Sequence, residues 1–109
     1  DILETSLVAC KEATNTILTG AAEDWTVLSA SAYNMLMLMG ATVAGAMLVK
    51  SAVAATHLKT AGEGNTRFND NKVMTAKFFA QHVMSRNTGY FEAVKAGSEA
   101  VMGLGIEDF

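Results

Sequence analysis

The sequence predicts an all-α fold, an antiparallel bundle of three long helices over about residues 2–19, 24–61 and 70–104. Three observations predict it. Hydrophobic residues make up 50% of the 109 residues and charged residues 17%, the balance of a packed chain rather than a disordered one. Proline is absent, whereas all-β folds lean on Pro and Gly turns. Apolar residues recur at three- and four-residue steps over long stretches. The length fits one domain.

The first helix is read from Leu3, Leu7, Cys10, Thr14 and Ile17, a 4-3-4-3 stripe. Gly20 is the expected residue past its C-terminus, because glycine takes the left-handed conformation that ends helices. Asp24 is the expected cap of the second helix. No convincing break follows before Gly62-Glu63-Gly64-Asn65, a strong turn signal. Leu28, Ala32, Met35, Met39, Ala46, Val49 and Val53 form one apolar seam along this helix, and Leu36, Val43, Met47 and Ala54 form another. No charge occurs from Trp25 to Val49. About 20 apolar residues can span a bilayer, but Thr26, Ser29, Ser31 and Asn34 confine the apolar part to Met35–Val49, and Met, Ala and Gly dominate it. The expectation is a helix buried on more than one side, not a membrane span.

Asn69 or Asp70 is the expected cap of the third helix. Val73, Ala76, Ala80 and Val83 share a face, and Tyr90, Phe91, Val94, Ser98 and Val101 continue it in phase at about 100° per residue. That phase predicts one helix to about Leu104, kinked at Gly89. At about 1.5 Å per residue, the first helix is about 27 Å long against about 50–60 Å for the others. It cannot cover them end to end, so residues before Asp1 are expected to extend it.

Charge is uneven. Residues 1–49 carry one base, Lys11, against five acids, and residues 50–95 carry seven bases against three acids. The net charge of −3 argues against a nucleic-acid partner. The single Cys10 excludes a disulfide scaffold and a Cys-based zinc site. His57 has no carboxylate or Cys at helical spacing, and His82 neighbours Arg86 and Lys77, which repel a cation. No carboxylate interrupts the apolar runs to act as a buried base, and no Gly-Lys-Ser/Thr follows the glycines to make a phosphate loop. Catalytic, cofactor-binding and metal residues are therefore expected to be absent. Gly40 and Gly45 are read as points of close helix crossing.

Two surfaces remain. Lys72, Thr75, Phe79, His82 and Arg86 share a face of the third helix, with Arg67 just before it. Cations of this kind can hold phosphate or carboxylate, or pair with acids of a neighbouring domain. Met74 and Phe78 project nearly opposite the Val73–Val83 stripe as a candidate apolar interface. A free-standing helical interaction or oligomerisation protein is the alternative that these faces allow.

Order and spacing along nearly the whole chain also resemble a known family. Tyr33-Asn34-Met35-Leu36-Met37-Leu38-Met39-Gly40-Ala41-Thr42-Val43-Ala44-Gly45 is similar to a tyrosine/leucine-rich segment ending in Met-Gly and small-residue-Gly. Phe68, Lys72 and Thr75-Ala76-Lys77-Phe78-Phe79-Ala80-Gln81-His82-Val83-Met84 resemble its next run, and Ala96-Gly97, Val101-Met102-Gly103-Leu104 and Phe109 its close. The family is the extra C-terminal helical domain of a subgroup of bacterial acyl-CoA dehydrogenases. Ser85 stands where that family usually has Pro, so no proline kink carries over to this point. The resemblance implies a cytoplasmic, homo-oligomeric parent that uses FAD to oxidise an acyl-CoA to the 2-enoyl-CoA. Members act on varied acyl-CoAs, including a methylthio-substituted propionyl-CoA. The flavin site and catalytic glutamate lie in the preceding domains, so none carries over to residues 1–109, which are expected to be one non-catalytic accessory domain packing on the catalytic body or a subunit interface. By the same resemblance, Arg67, Lys72, Phe79, His82 and Arg86 are candidates to touch the nucleotide end of CoA.

Overall fold

A computed structural model describes residues 1–109 as an all-α antiparallel assembly. The first helix, α1, runs Ile2–Glu23, and its leading turn is capped by Asp1, whose Oδ1 accepts from the Leu3 N–H at 2.9 Å. Gly20 lies inside α1 rather than beyond it. A Cβ there would sit 3.2 Å from Val27 Cγ1, so glycine at this position lets the end of α1 approach the start of the next helix. That helix, α2, runs Thr26–Thr60. Asp24 caps it as the sequence predicts: Oδ1 accepts from the Thr26 N–H at 2.9 Å and from the Thr26 hydroxyl at 2.7 Å.

The turn after α2 uses Gly62 and Gly64, both at φ +73°, a region that side chains disfavour. The next helix, α3, spans Thr66–His82. Its cap is Asn65, whose Oδ1 accepts from the Phe68 N–H at 3.0 Å, not Asn69 or Asp70. Those two act elsewhere. Asn69 is buried and donates to the Glu63 carbonyl at 3.4 Å, and Asp70 pairs with Lys59 at 2.6 Å.

The third leg is segmented rather than continuous to Leu104. After α3 the chain tightens into a 3-10 turn at Met84–Arg86, then resumes as α4 over Asn87–Lys95. The break lies at the Ser85 position, without any proline, and not at Gly89, which sits within α4 with open space around it. The leg ends at Gly97, whose φ of +76° turns the chain left-handed after α4. A single turn, α5 (Glu99–Met102), and a 3-10 turn at Ile106–Asp108 follow. Apolar phase continues past Gly97, but Val101 and Leu104 are exposed, so periodicity there does not mark a buried helix.

The molecule measures 67 × 28 × 17 Å, less than two helix diameters thick. α2 is the spine. α1 and α4 pack together on its N-terminal half, and α3 lies along the rest. The core sits in the three-helix half: Ala13, Leu38 and Val94 are buried, with Ala9, Cys10, Ile17, Met35, Tyr90 and Phe91 against them. The stripe that α1 buries is centred on Ser6 and Ala13, leaving Leu7 and Thr14 exposed. On α2 the buried positions are Ser31, Leu38, Thr42, Gly45 and Ala55, so the predicted seam through Leu28, Ala32 and Met39 lies outward of the true one. Small residues occupy the inward positions because two other helices must approach α2 there. α2 is, by length and composition, apolar enough to cross a membrane.

Candidate functional site

The interior of the three-helix half holds a polar cluster as well as an apolar core. Asn87 of α4 donates from Nδ2 to Ser6 Oγ of α1 at 2.9 Å and to Thr42 Oγ1 of α2 at 3.3 Å. The Cys10 thiol donates to Thr42 Oγ1 at 3.4 Å, and Thr42 returns its own hydroxyl to the Leu38 carbonyl at 2.7 Å. One asparagine thus ties three helices in register, the kind of buried polar contact that specifies an arrangement. Cys10 takes part in this packing, as its position on the inner stripe of α1 predicts. Met84 fills the notch at Gly45. A Cβ there would lie 2.8 Å from Met84 Cε and 3.3 Å from Met84 Cγ, so Gly45 is a true close-crossing glycine. Gly40 is not, since a Cβ there meets nothing within 4 Å.

No three His, Cys, Asp or Glu side chains gather as a metal-holding group. The Asp24 carboxyl is held below its ordinary range, first by the hydroxyl of Thr26, then by that of Ser98 (2.8 Å), then by the Thr26 N–H. These bonds tie the α1–α2 corner to the start of α5.

The predicted basic face is a stripe rather than a pocket. Arg67 stands in the first turn of α3 and Arg86 in the 3-10 turn at the far end of the leg. Nineteen residue steps of helix-like chain from one to the other amount to about 28 Å. Within the stripe, pairs form. Lys72 Nζ lies 5.2 Å from the Phe68 ring centroid, a cation–π contact. His82 stacks on Phe78, its ring centroid 4.9 Å away and tilted by 25°. Phe79, the aromatic named for this face, is half-buried and lines a shallow groove with Leu36, Met37, Gly40, Ala41 and Val83. The chain's ion pairs are Lys59–Asp70 and Lys95–Glu92. Arg67, Lys72 and Arg86 therefore enter none, and all three charges are available to a partner.

Apolar surface is the larger feature. Only 12 residues are buried, and the exposed large hydrophobics outnumber them. Met74 and Phe78 are 64% and 58% exposed, as their spacing predicts. Sequence reading assigned Leu36, Val43 and Met47 to a seam, and they form one, but it faces outward, joined by Met39. A third surface escaped sequence reading. An open groove of about 420 Å³ runs between α2 and α3, lined by Val49, Ala52, Val53, Thr56, Val73, Ala76 and Ala80, with His57 and Lys77 at its polar positions. Heptad-like steps through Leu38, Thr42, Val49, Val53 and Thr56 were the available signal.

This long spine with one short and one broken flanking helix is the context in which the family comparison is decisive. The sequence profile described as "Acetyl-CoA dehydrogenase C-terminal like" matches residues 1–105. The chain belongs to this family. No curated protein and no solved structure matches it. The C-terminal-like domain thus spans α1 through α5, and only the final 3-10 turn lies beyond the match.

Proposed function

We propose that residues 1–109 are the non-catalytic helical tail of an FAD-dependent acyl-CoA dehydrogenase. In this reading the domain packs on the catalytic body or at the subunit interface of a cytoplasmic homo-oligomer. The family match over residues 1–105 carries the proposal. The outward apolar residues give it a physical basis, because a monomer rarely leaves so much apolar surface open. Leu36, Met39, Val43 and Met47 form one contact edge, and Met74 and Phe78 another. In this reading α2 is a core helix of the bundle, and the polar cluster around Asn87 supports it. FAD would supply the hydride chemistry from the preceding domains, and no residue of this chain is assigned to it.

The test is the full gene product. It should purify with bound flavin and pass electrons from an acyl-CoA to a dye, while the 109-residue chain alone should do neither. A gene that encodes no dehydrogenase domain would leave the free-standing oligomerisation protein as the correct reading.

The basic stripe serves docking in this proposal, with Arg67, Lys72, His82 and Arg86 facing acids of the catalytic body. Contact with the phosphates of CoA is the competing role, with Phe79 beside them. Lys72→Ala and Arg86→Ala in the full enzyme separate the two. Docking predicts lower thermal stability at unchanged KM. Uniform binding of CoA predicts a raised KM at unchanged kcat, and charge-assisted bonds worth about 1.5–3 kcal/mol each make that rise tenfold or more.

A further inference from the structure

The groove between α2 and α3 is the continuation of the seat that α1 occupies. Along α2, the residues under α1 are Leu38, which joins Ala13 in the core, and Thr42, which bonds Cys10. Steps of three and four from Thr42 reach Val49, Val53 and Thr56, which line the groove. Along the third leg, Asn87 and Met84 border α1, and Ala80, Ala76 and Val73 continue the same line into the groove. One trough therefore runs between α2 and the third leg, and α1 fills only its near part. The direction is also fixed. α1 lies antiparallel to α2, Ser6 shares Asn87 with Thr42, and Ile2 reaches the rim beside Met84 and Ser85. The N-terminal end of α1 points into the open groove.

We propose that a helical segment preceding Asp1, in line with α1, occupies this groove, with the Leu3 N–H passing from the Asp1 carboxylate to a backbone carbonyl of the added turn. This rests on the reading that the chain belongs to a longer protein. From Gly45 to Thr56 the spine advances about 16 Å, which calls for about eleven residues, or three turns, of added helix. Its inner face must be apolar at three- and four-residue spacing to fill the space over Val49, Val53, Val73 and Ala76. Its flank should carry acids, because the ionisable groups lining the groove are Lys77 and His57. The trough would then be a three-helix arrangement along its whole length.

Cysteine pairing in the full-length gene product tests this, in a background with Cys10→Ser and no other free cysteine. Ser6 and Thr42 meet through the Asn87 amide, so the position one heptad before Ser6, two residues upstream of Asp1, should face Val49 across the trough. A cysteine there and Val49→Cys should form a disulfide on mild oxidation, since bridges need Cα atoms about 4.4–6.8 Å apart. Val53→Cys should react with a maleimide at least tenfold more slowly in the full-length protein than in the 109-residue chain. Val49 and Val53 are both already exposed in the chain alone, so neither substitution threatens the fold. Equal labelling overturns the proposal. Protection without the disulfide also overturns it, because the catalytic body or a second copy is then the cover. So does a gene with fewer than ten residues before Asp1. Flavin content reports separately on the parent enzyme, so failure of the groove proposal and failure of the dehydrogenase reading are told apart.

Discussion

The near half of the molecule, where α1 and α4 flank α2, and the far half, where α3 alone does, are built from similar residues and differ in partners. In the near half Leu38, Val94 and Ala13 are removed from solvent. In the far half the buried apolar positions are Ala55 and Ala76, one small residue from each helix, and the neighbouring valines stay half open. Two helices enclose only the line where they touch, while three enclose a core. The near half can thus hold itself together, and the far half depends on what covers it.

The largest expected effect breaks the near half directly. Leu38→Ala empties a fully buried site and should cost about 2–5 kcal/mol, whereas Val53→Ala, in the open groove, should stay within about 0.5 kcal/mol. Urea denaturation of both variants checks the contrast. Equal losses would mean that the far half is as well packed as the near half. Glycine substitutions give the next contrast. Gly45→Ala drives a methyl into the buried Met84 side chain and should destabilise by about 1–3 kcal/mol. Gly40→Ala meets nothing and should stabilise by up to about 1 kcal/mol through helix propensity. A melting temperature that rises for both would show that Met84 repacks freely and does not lock the crossing.

These contrasts explain what could be read in the sequence. The helices of α1 and α2, the Asp24 cap and the Gly62–Gly64 turn were legible because each depends on a local signal. Which face of α2 points inward was not. Hydropathy favours Leu28, Ala32 and Met39 as core, but three-way packing gives the inward places to Ser31, Thr42 and Gly45. The Leu38 carbonyl and Asn87 satisfy the Thr42 hydroxyl, while Ser31 Oγ is buried without a partner, and no apolar count registers either. The break at Met84–Arg86 was illegible for a similar reason. Apolar phase runs through it, and what accompanies the break is a tertiary fit, Met84 into the Gly45 notch. For the candidate sites, the exposure of Met74 and Phe78 followed from spacing on one helix. The groove needed two helices at once.

Hydrogen exchange sharpens the comparison without any substitution. Amides in the C-terminal half of α2 and in α3 should exchange through openings of lower free energy than those around Leu38 and Val94, because few buried apolar contacts hold them. Uniform protection along α2 would break the division into two halves. In the full-length protein the far amides should gain the most protection, since covering the groove supplies the missing third helix.

The smallest expected effect concerns the corner that ties the near half to the C-terminal turn. Asp24 accepts from Thr26 and Ser98, and these bonds hold its carboxyl below the ordinary value of 3.8. A group whose folded pKa is depressed adds stability above its unfolded pKa and loses it as pH falls through the folded one. The contribution is therefore complete at neutral pH, begins to fade near the ordinary carboxylate value, and is gone once Asp24 is protonated in both states. Asp24→Asn keeps an N-cap acceptor but removes the charge. It should lower the melting temperature slightly at pH 7, and the gap to the parent chain should close as pH falls below 3.8. Ser98→Ala removes only the bond from the C-terminal turn, so the same gap should shrink in its presence even at pH 7. A gap that is constant with pH would mean that the Asp24 charge does not contribute to the corner. A gap indifferent to Ser98→Ala would detach α5 from it.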